Sequence, residues 1–396
     1  MSQGSASNER RLPLEGLLVL DMSQFLSGPS AALKLLDMGA RVIKVERPGG
    51  GDICRSLYLT DTELGGDSTL FHAINRGKES FAADLKTQEG RAEVMALIAQ
   101  ADVLIHNFRP GVMERLGLDF ASLCTVNPKL IYAGISGYGE EGPWVDRPGQ
   151  DLLSQALSGV MWLNGDHEQG PVPFGLAIGD LLAGHVLTEG ILAALVQRGI
   201  TGQGAQVQTS LLEALIDFQF EVLSTFLNDG GRAPLRSSYR NAHAYLSAPY
   251  GVYPTQDGYL ALAMMPLSRL ADVLNLPALM SYVEQPGSEF SCRDEIKRLI
   301  AQHMQQRSTE QWLDVLRPAD VWCAEVLDWD ALLKQKAFQG LQMLQQVQCE
   351  HRGLTLHTTR SPLRINGERV GNVAALAAPR VGEHNDALRR EFMLTV

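Results

Sequence analysis

The stretch LEGLLVLDMSQFLSGPSAALKLLDMGARVIKVE, residues 14–46, decides how the chain begins to fold. Its apolar run LLVLDM is followed by SGPSAALKLLDMG and then by RVIKVE, which reads as strand, helix, strand. Pro29 falls in the first helical turn, where no backbone donor is needed, and Gly39 supplies a stop before the second strand. Two apolar strands joined by a helix of this length pair in parallel through a right-handed crossover. The runs ADVLIHNF (101–108) and KLIYAGIS (129–136) add further strands, alternating with helical segments around Gly90–Gln100 and Val112–Leu123. The first half is therefore predicted to be α/β, with sites at the carboxyl ends of its strands.

Further along, the apolar spacing is helical over Gln150–Trp162 and Asp180–Arg198. GITGQGAQ (199–206) then turns the chain into the strand QVQTS, and a helix is expected over Leu211–Phe226. At NDGGRAPLRSSYRNAHAYLSAP (228–249) Gly, Pro, Ser and Arg accumulate, as at a domain boundary. PYGVYPTQDGYLALAM (249–264) carries strand-like runs around a turn at Gln256-Asp257-Gly258, and helices are expected on to Leu333. TLHTTRSPLRING and GEHNDALRREF read as irregular structure and a last helix. The expected organisation is a large domain over 1–227, a small domain with its linker over 228–335, and a return segment over 336–396.

Composition narrows the class. The 396 residues carry 34 Lys and Arg against 45 Asp and Glu, a net charge of −11, which argues against a broad surface for nucleic acid but leaves room for a local anion pocket. The five cysteines (Cys54, Cys124, Cys292, Cys323, Cys349) are odd in number and widely spaced, which fits a reducing cytoplasm and supports no disulfide framework or structural zinc. The opening MSQGSASNERR is polar and expected to be mobile, and LPLEGLLVL is broken by Pro13 and Glu15, so it lacks a signal-peptide core. Gly179–Val196 contains Asp180, His185, Thr188 and Glu189, the makeup of a buried helix rather than a membrane span.

Two carboxylates stand at helix starts. Asp180 follows Gly179 and precedes LLAGHVLTEGILAALV, where backbone donors and the helix dipole favour an ionised, oriented carboxylate. Asp151 follows a Pro-Gly turn in RPGQDLLSQALSG. Brought together by the fold, such a pair can divide nucleophilic and acid/base roles; apart, each is an ordinary cap. PGGGD (48–52) and GYGEEGP (137–143) could let backbone amides approach a phosphate or thioester, or be tight turns. Lys44, Arg47, Arg55, Arg76, Lys78, Lys86, Arg109 and Arg115 lie near strand ends, as ligands for a phosphorylated group or as solvated surface. The nine histidines show no metal-ligand spacing, His351 with His357 included, and no GxSxG elbow occurs.

Seven segments carry a resemblance. They are residues 14–52, NRGKESFAADLKTQEG (75–90), ADVLIHNFRPGVMERLGLD (101–119), NPKLIYAGISGYGEEGP (127–143), PGQDLLSQALSG (148–159), GDLLAG (179–184) and GILAALVQRGITGQG (190–204). In this order they resemble the family III CoA-transferases, a group with formyl-CoA transferase, carnitine CoA-transferase and α-methylacyl-CoA racemase members. The resemblance implies a Rossmann-like large domain made from both chain ends around an inserted small α+β domain, in an interlocked, ring-shaped homodimer. It implies no tightly bound cofactor and no metal, with acyl-CoA and a small carboxylic acid as substrates and neither nucleic acid nor membrane as partner.

By the same resemblance Asp180 is the nucleophile that becomes an anhydride and then an aspartyl-CoA thioester, and Asp151 is the acidic residue near it. Arg47 matches a position lining the CoA adenine, and Lys86, Asn107, Phe108 and Arg115 match further CoA contacts. The racemases have a His just before that acidic residue. Here it is Gln150, whose amide cannot act as a proton-transfer base. Formyl-CoA transferase has a Gln before its early Ala-Gly-Pro motif and a poly-glycine loop; this chain has Leu26 two residues before Gly28 and no such loop between Asn228 and Leu260. Arg240, Asn241 and His243 are expected near the acceptor acid, with a surface linker as the competing reading. A racemase and a non-catalytic CoA-binding subunit are the rival functions.

Overall fold

A computed structural model describes residues 12–349, 353–371 and 376–394, the side chains of Cys349 and Leu354 excepted. The polar stretch 1–11 and His351 lie outside the described residues. The chain divides into two compact units, one of Met1–Ser154, Ala177–Leu215 and Leu341–Val396, the other of Gln155–Leu176 and Ile216–Gly340.

The first unit is built on β1 (Leu18–Asp21), β2 (Arg41–Glu46), β3 (Glu79–Ala82), β4 (Val103–His106), β5 (Ile131–Ser136) and β6 (Ala205–Ser210). Their order is β3-β2-β1-β4-β5-β6, every neighbouring pair parallel. This is the order of dinucleotide-binding sheets, and it reverses between β1 and β4, so a crevice opens beyond the carboxyl ends of those two strands. Alternation along the strands divides the core. Val19, Val42, Val103, Ile105 and Ile131 face α1 (Ser27–Asp37) and a long helix over Ile178–Thr201, whose Ala183, Leu187 and Ile191 are buried there. Leu20, Ile43, Phe81, Leu104 and Tyr132 face the other way, onto α2 (Gln88–Ile98) and onto Leu388 and Phe392 from the C-terminal end. Each such side chain, fully buried, contributes about 1.5–3 kcal/mol.

The second unit pairs Gly251–Pro254, Tyr259–Leu262 and Cys323–Glu325 in an antiparallel sheet. Tyr253 and Leu260 from that sheet pack with Leu270, Ile296, Ile300 and Trp312 from its helices. A shallow apolar cavity of about 370 Å³, lined among others by Tyr250, Val252 and Trp322, holds no charged side chain.

Several local expectations differ from the structure. The helix expected over Val112–Leu123 breaks at Gly117, where φ is +68°, into Val112–Leu116 and Phe120–Val126. The one expected over Leu211–Phe226 breaks at Gln219. TLHTT is not irregular: Leu354–Thr359 pairs antiparallel with Leu344–Cys349. Where composition draws the boundaries at 228 and 336, the contacts divide the chain at 216 and 341, and they also give 155–176 to the second unit.

Candidate active site

Asp151 opens α3 (Asp151–Ser158), and Asp180 is the third residue of α4 (Ile178–Thr201). The loop after β5 and the segment before α3 meet at Gly137 and Gly149, where a Cβ on either residue would lie 2.6 Å from the other's Cα. That close approach delivers Asp151 to the start of α4. Its Oδ1 accepts from the backbone N–H of Gly179 at 2.7 Å and of Asp180 at 3.2 Å. Asp151 therefore caps a helix that begins 27 residues further on, using donors that the first turn of any helix leaves free. The two helix-start carboxylates meet, and they are not independent caps.

Burial, reinforced by the negative charge of Asp151, pushes the Asp180 carboxyl up to about 7, against a hydrogen bond from the Ser27 hydroxyl that favours its ionised form. A carboxyl raised in this way is a stronger base and nucleophile than an ordinary aspartate.

The crevice wall opposite is the turn between β1 and α1. Asn107, just past β4, clamps it: its Oδ1 accepts from Gln24 N–H at 2.8 Å and its Nδ2 donates to Gln24 O at 2.7 Å. Beneath the turn lies a buried ionic network. Lys78 Nζ donates to Asp21 Oδ2 at 2.8 Å, Asn75 Oδ1 at 2.9 Å and Pro29 O at 3.0 Å. Lys44 Nζ pairs with Asp52 at 2.8 Å and donates to Ser23 O at 2.8 Å. Burial lowers the Lys78 ammonium to about 8, and Asp21 opposes that shift. For Lys44 the burial penalty is outweighed by Asp21 and Asp52, and the net direction is up.

Eight basic residues near the strand ends thus separate into two sets. Lys44, Arg55, Arg76 and Lys78 are buried, held by Asp21, Asp52, Glu46, Asp67 and Asp37, so they are neither free phosphate ligands nor solvated surface. Arg47, Lys86, Arg109 and Arg115 are exposed, the first three in the loops that follow β2, β3 and β4 and the last in the short helix Val112–Leu116. Phe108 stacks on His106 with ring centroids 6.2 Å apart, and burial pushes that histidine down to about 4, which keeps it neutral. Gln150 is exposed immediately before α3, and its carbonyl accepts from Ser154 N–H at 3.0 Å. Leu26 does not reach toward Asp180: it packs with Cys54, Phe71 and Ile74.

In the second unit, Asn241 Oδ1 accepts from Ser237 N–H at 3.1 Å, and Arg240 stacks over Tyr259 at 4.8 Å. His243 Nε2 lies 3.8 Å from Glu221. Among the described residues, no group of three His, Cys, Asp or Glu side chains is arranged to hold a metal ion. The residue that sequence reasoning missed is Ser27, whose hydroxyl favours the ionised Asp180 carboxylate. Its only signal is a small hydroxyl at the first residue after the turn, a placement that matters only once α1 is packed on α4.

Comparison with known proteins follows the same lines. The profile of CoA-transferase family III matches residues 14–385. Acetyl-CoA:oxalate CoA-transferase of Acetobacter aceti is 34% identical over 394 residues, covering 96% of each chain. Succinate–glutarate CoA-transferase of Agrobacterium fabrum is 40% identical over 280 residues, 68% of each chain. The crystal structure of a CAIB/BAIF family protein from Brucella suis matches with a TM-score of 0.83 at 29% identity, covering 97% of this chain and all of that one.

Proposed function

We propose, from the premise that the chain belongs to CoA-transferase family III, that it moves CoA from a short-chain or dicarboxylic acyl-CoA to a free carboxylic acid through Asp180. The observation that carries the reading is the Asp180 carboxylate itself: partly buried at the start of α4, next to Asp151 and raised to about 7. One Oδ attacks the thioester carbon, the C–S bond breaks, and CoA leaves as the thiolate with a mixed anhydride on Asp180. The thiolate then attacks Cγ, the donor acid leaves as its carboxylate, and an aspartyl-CoA thioester remains. An acceptor carboxylate displaces CoA from Cγ, and the thiolate attacks the new acyl carbon to regenerate Asp180. Splitting the exchange in this way replaces one hard step by several acyl transfers.

Asp151 holds the α4 backbone that carries the nucleophile, and its charge raises the basicity of Asp180. Arg47 lines the CoA adenine, and Lys86, Asn107, Phe108 and Arg115 make further contacts to CoA. What supports that assignment is their common place at the carboxyl edge of the sheet and the resemblance. The oxalate and glutarate named for the two relatives favour a dicarboxylic acceptor. A racemase reading gains no support, because Gln150 stands where a proton-transferring base is needed.

We place the enzyme in the cytoplasm as a homodimer without a tightly bound cofactor. Exposed apolar side chains, Ile200, Phe220 and Trp329 among them, are the kind of surface that a second subunit covers. Screening purified protein with succinyl-CoA and acetyl-CoA against oxalate, glutarate, mesaconate and monocarboxylates tests the reading. CoA exchange with at least one dicarboxylate is expected; none with any acid contradicts it.

A further inference from the structure

From Leu17 to Ala40 the chain is buried or half-buried at every position but one. The exception is Phe25, 44% exposed, in the turn between β1 and α1 where the strand order reverses. It sits at φ +62°. That left-handed conformation is disfavoured for any residue with a Cβ and most of all for a bulky one, whereas glycine takes it freely. A large apolar side chain held toward water on a strained backbone serves neither the core nor the turn. Such residues persist only where the surroundings impose them, and they cluster at functional sites.

Here the surroundings act from both sides. Phe25 N–H donates at 3.1 Å to Asp52 Oδ1, in the loop after β2, and the other oxygen of Asp52 lies 2.8 Å from Lys44 Nζ. The preceding residue, Gln24, has its N–H and its C=O both bonded to the Asn107 side chain, just past β4. The following residue, Leu26, packs inward with Cys54 and Phe71, and its carbonyl accepts from Ser30 N–H at 2.9 Å. Beyond it, α1 lies on α4 at Gly184, one helical turn past Asp180, where a Cβ would fall 2.7 Å from Ser27 O.

Phe25 therefore stands among three landmarks: the loop after β2 that carries Arg47, the end of β4 that carries Asn107 and Phe108, and the helix that carries Asp180. The part of an acyl-CoA that spans from the adenine to the thioester is the pantetheine arm, whose methyl and methylene groups suit an aromatic ring. We infer that Phe25 is a binding residue for that arm, its ring held outward by the turn so that the arm packs against it. The inference rests on the reading of this sheet edge as the acyl-CoA site with Asp180 as the nucleophile. Because the turn is already fixed, binding does not have to order it, and the contact is retained in affinity.

Titration calorimetry of the full chain with CoA tests the inference, with urea denaturation beside it. Phe25→Ala is expected to weaken CoA binding about 10-fold, as uncovering part of a ring should. ADP, which carries the nucleotide end without the arm, should displace CoA from the variant with its wild-type affinity. Phe25→Gly separates binding from folding. It relieves the left-handed strain, so its urea midpoint should stay at or above that of the wild type, while its CoA affinity falls at least as far as that of Phe25→Ala. If the wild type binds CoA and both variants bind it within twofold as tightly, or if ADP weakens as much as CoA does, the assignment to the arm is overturned while the site stands. If the wild type binds no CoA, the reading of the site falls and the inference with it.

Discussion

Asp180 should make the protein less stable as the pH rises, and Asp180→Asn should remove that dependence. The carboxyl has a folded-state pKa of about 7, because burial and Asp151 disfavour its charge, whereas an unfolded aspartate titrates near 3.9. The folded chain therefore binds this proton more tightly than the unfolded one. Stability from this group is complete below about pH 4, falls as the pH rises through the interval between the two values, and levels off above about 7. Linkage puts the penalty at about 1.5 kcal/mol at pH 5 and about 4 kcal/mol at pH 8. Asparagine keeps the size of the side chain but carries no charge to desolvate. The variant should gain on the wild type by about 2–3 kcal/mol between pH 5 and pH 8. Urea denaturation of both proteins at the two pH values, in the absence of substrate, measures the difference directly. A difference that stays flat across the interval, or shrinks toward pH 8, refutes the argument that Asp180 is held desolvated beside a second carboxylate.

Asp151→Asn retains the Oδ1 acceptor for the Gly179 and Asp180 amides but removes the charge, so the acidic limb of the transfer pH profile should move to lower pH. Asp151→Ala removes the cap as well and should cost about 1 kcal/mol of stability, read from the urea midpoint. Lys78→Met leaves Asp21 without its closest cation and Asn75 Oδ1 without a donor; a loss of about 3–5 kcal/mol is expected, and a loss below 1 kcal/mol would contradict the network's role.

The β1-α1-β2 start was legible because each element carries its own local signal. Apolar runs mark the strands, Pro29 sits in the first turn of α1, and Gly39 ends it at φ +107°. The two helix-start carboxylates were legible as candidates for the same reason. Their meeting was not, because the bond from Asp151 to the α4 amides depends on a close approach of Gly137 and Gly149 that no local pattern encodes. Lys44 and Lys78 look like surface residues in sequence, since only the folded sheet reveals the aspartates that let them be buried. The 354–359 strand escaped notice because its partner, 344–349, supplies the pairing that its own polar composition does not advertise. Ser27 belongs to the same class: its chemistry comes from α4, and residue type alone does not single it out.

The central claim is that Asp180 carries CoA covalently. Incubating the protein with succinyl-CoA, quenching in acid and mapping the modified peptide by mass spectrometry tests it. The account predicts a mass gain equal to CoA less one water on the peptide containing Asp180, absent from Asp180→Ala, which loses exchange while still binding CoA. Undiminished CoA exchange by Asp180→Ala, or an adduct on another residue, would contradict it.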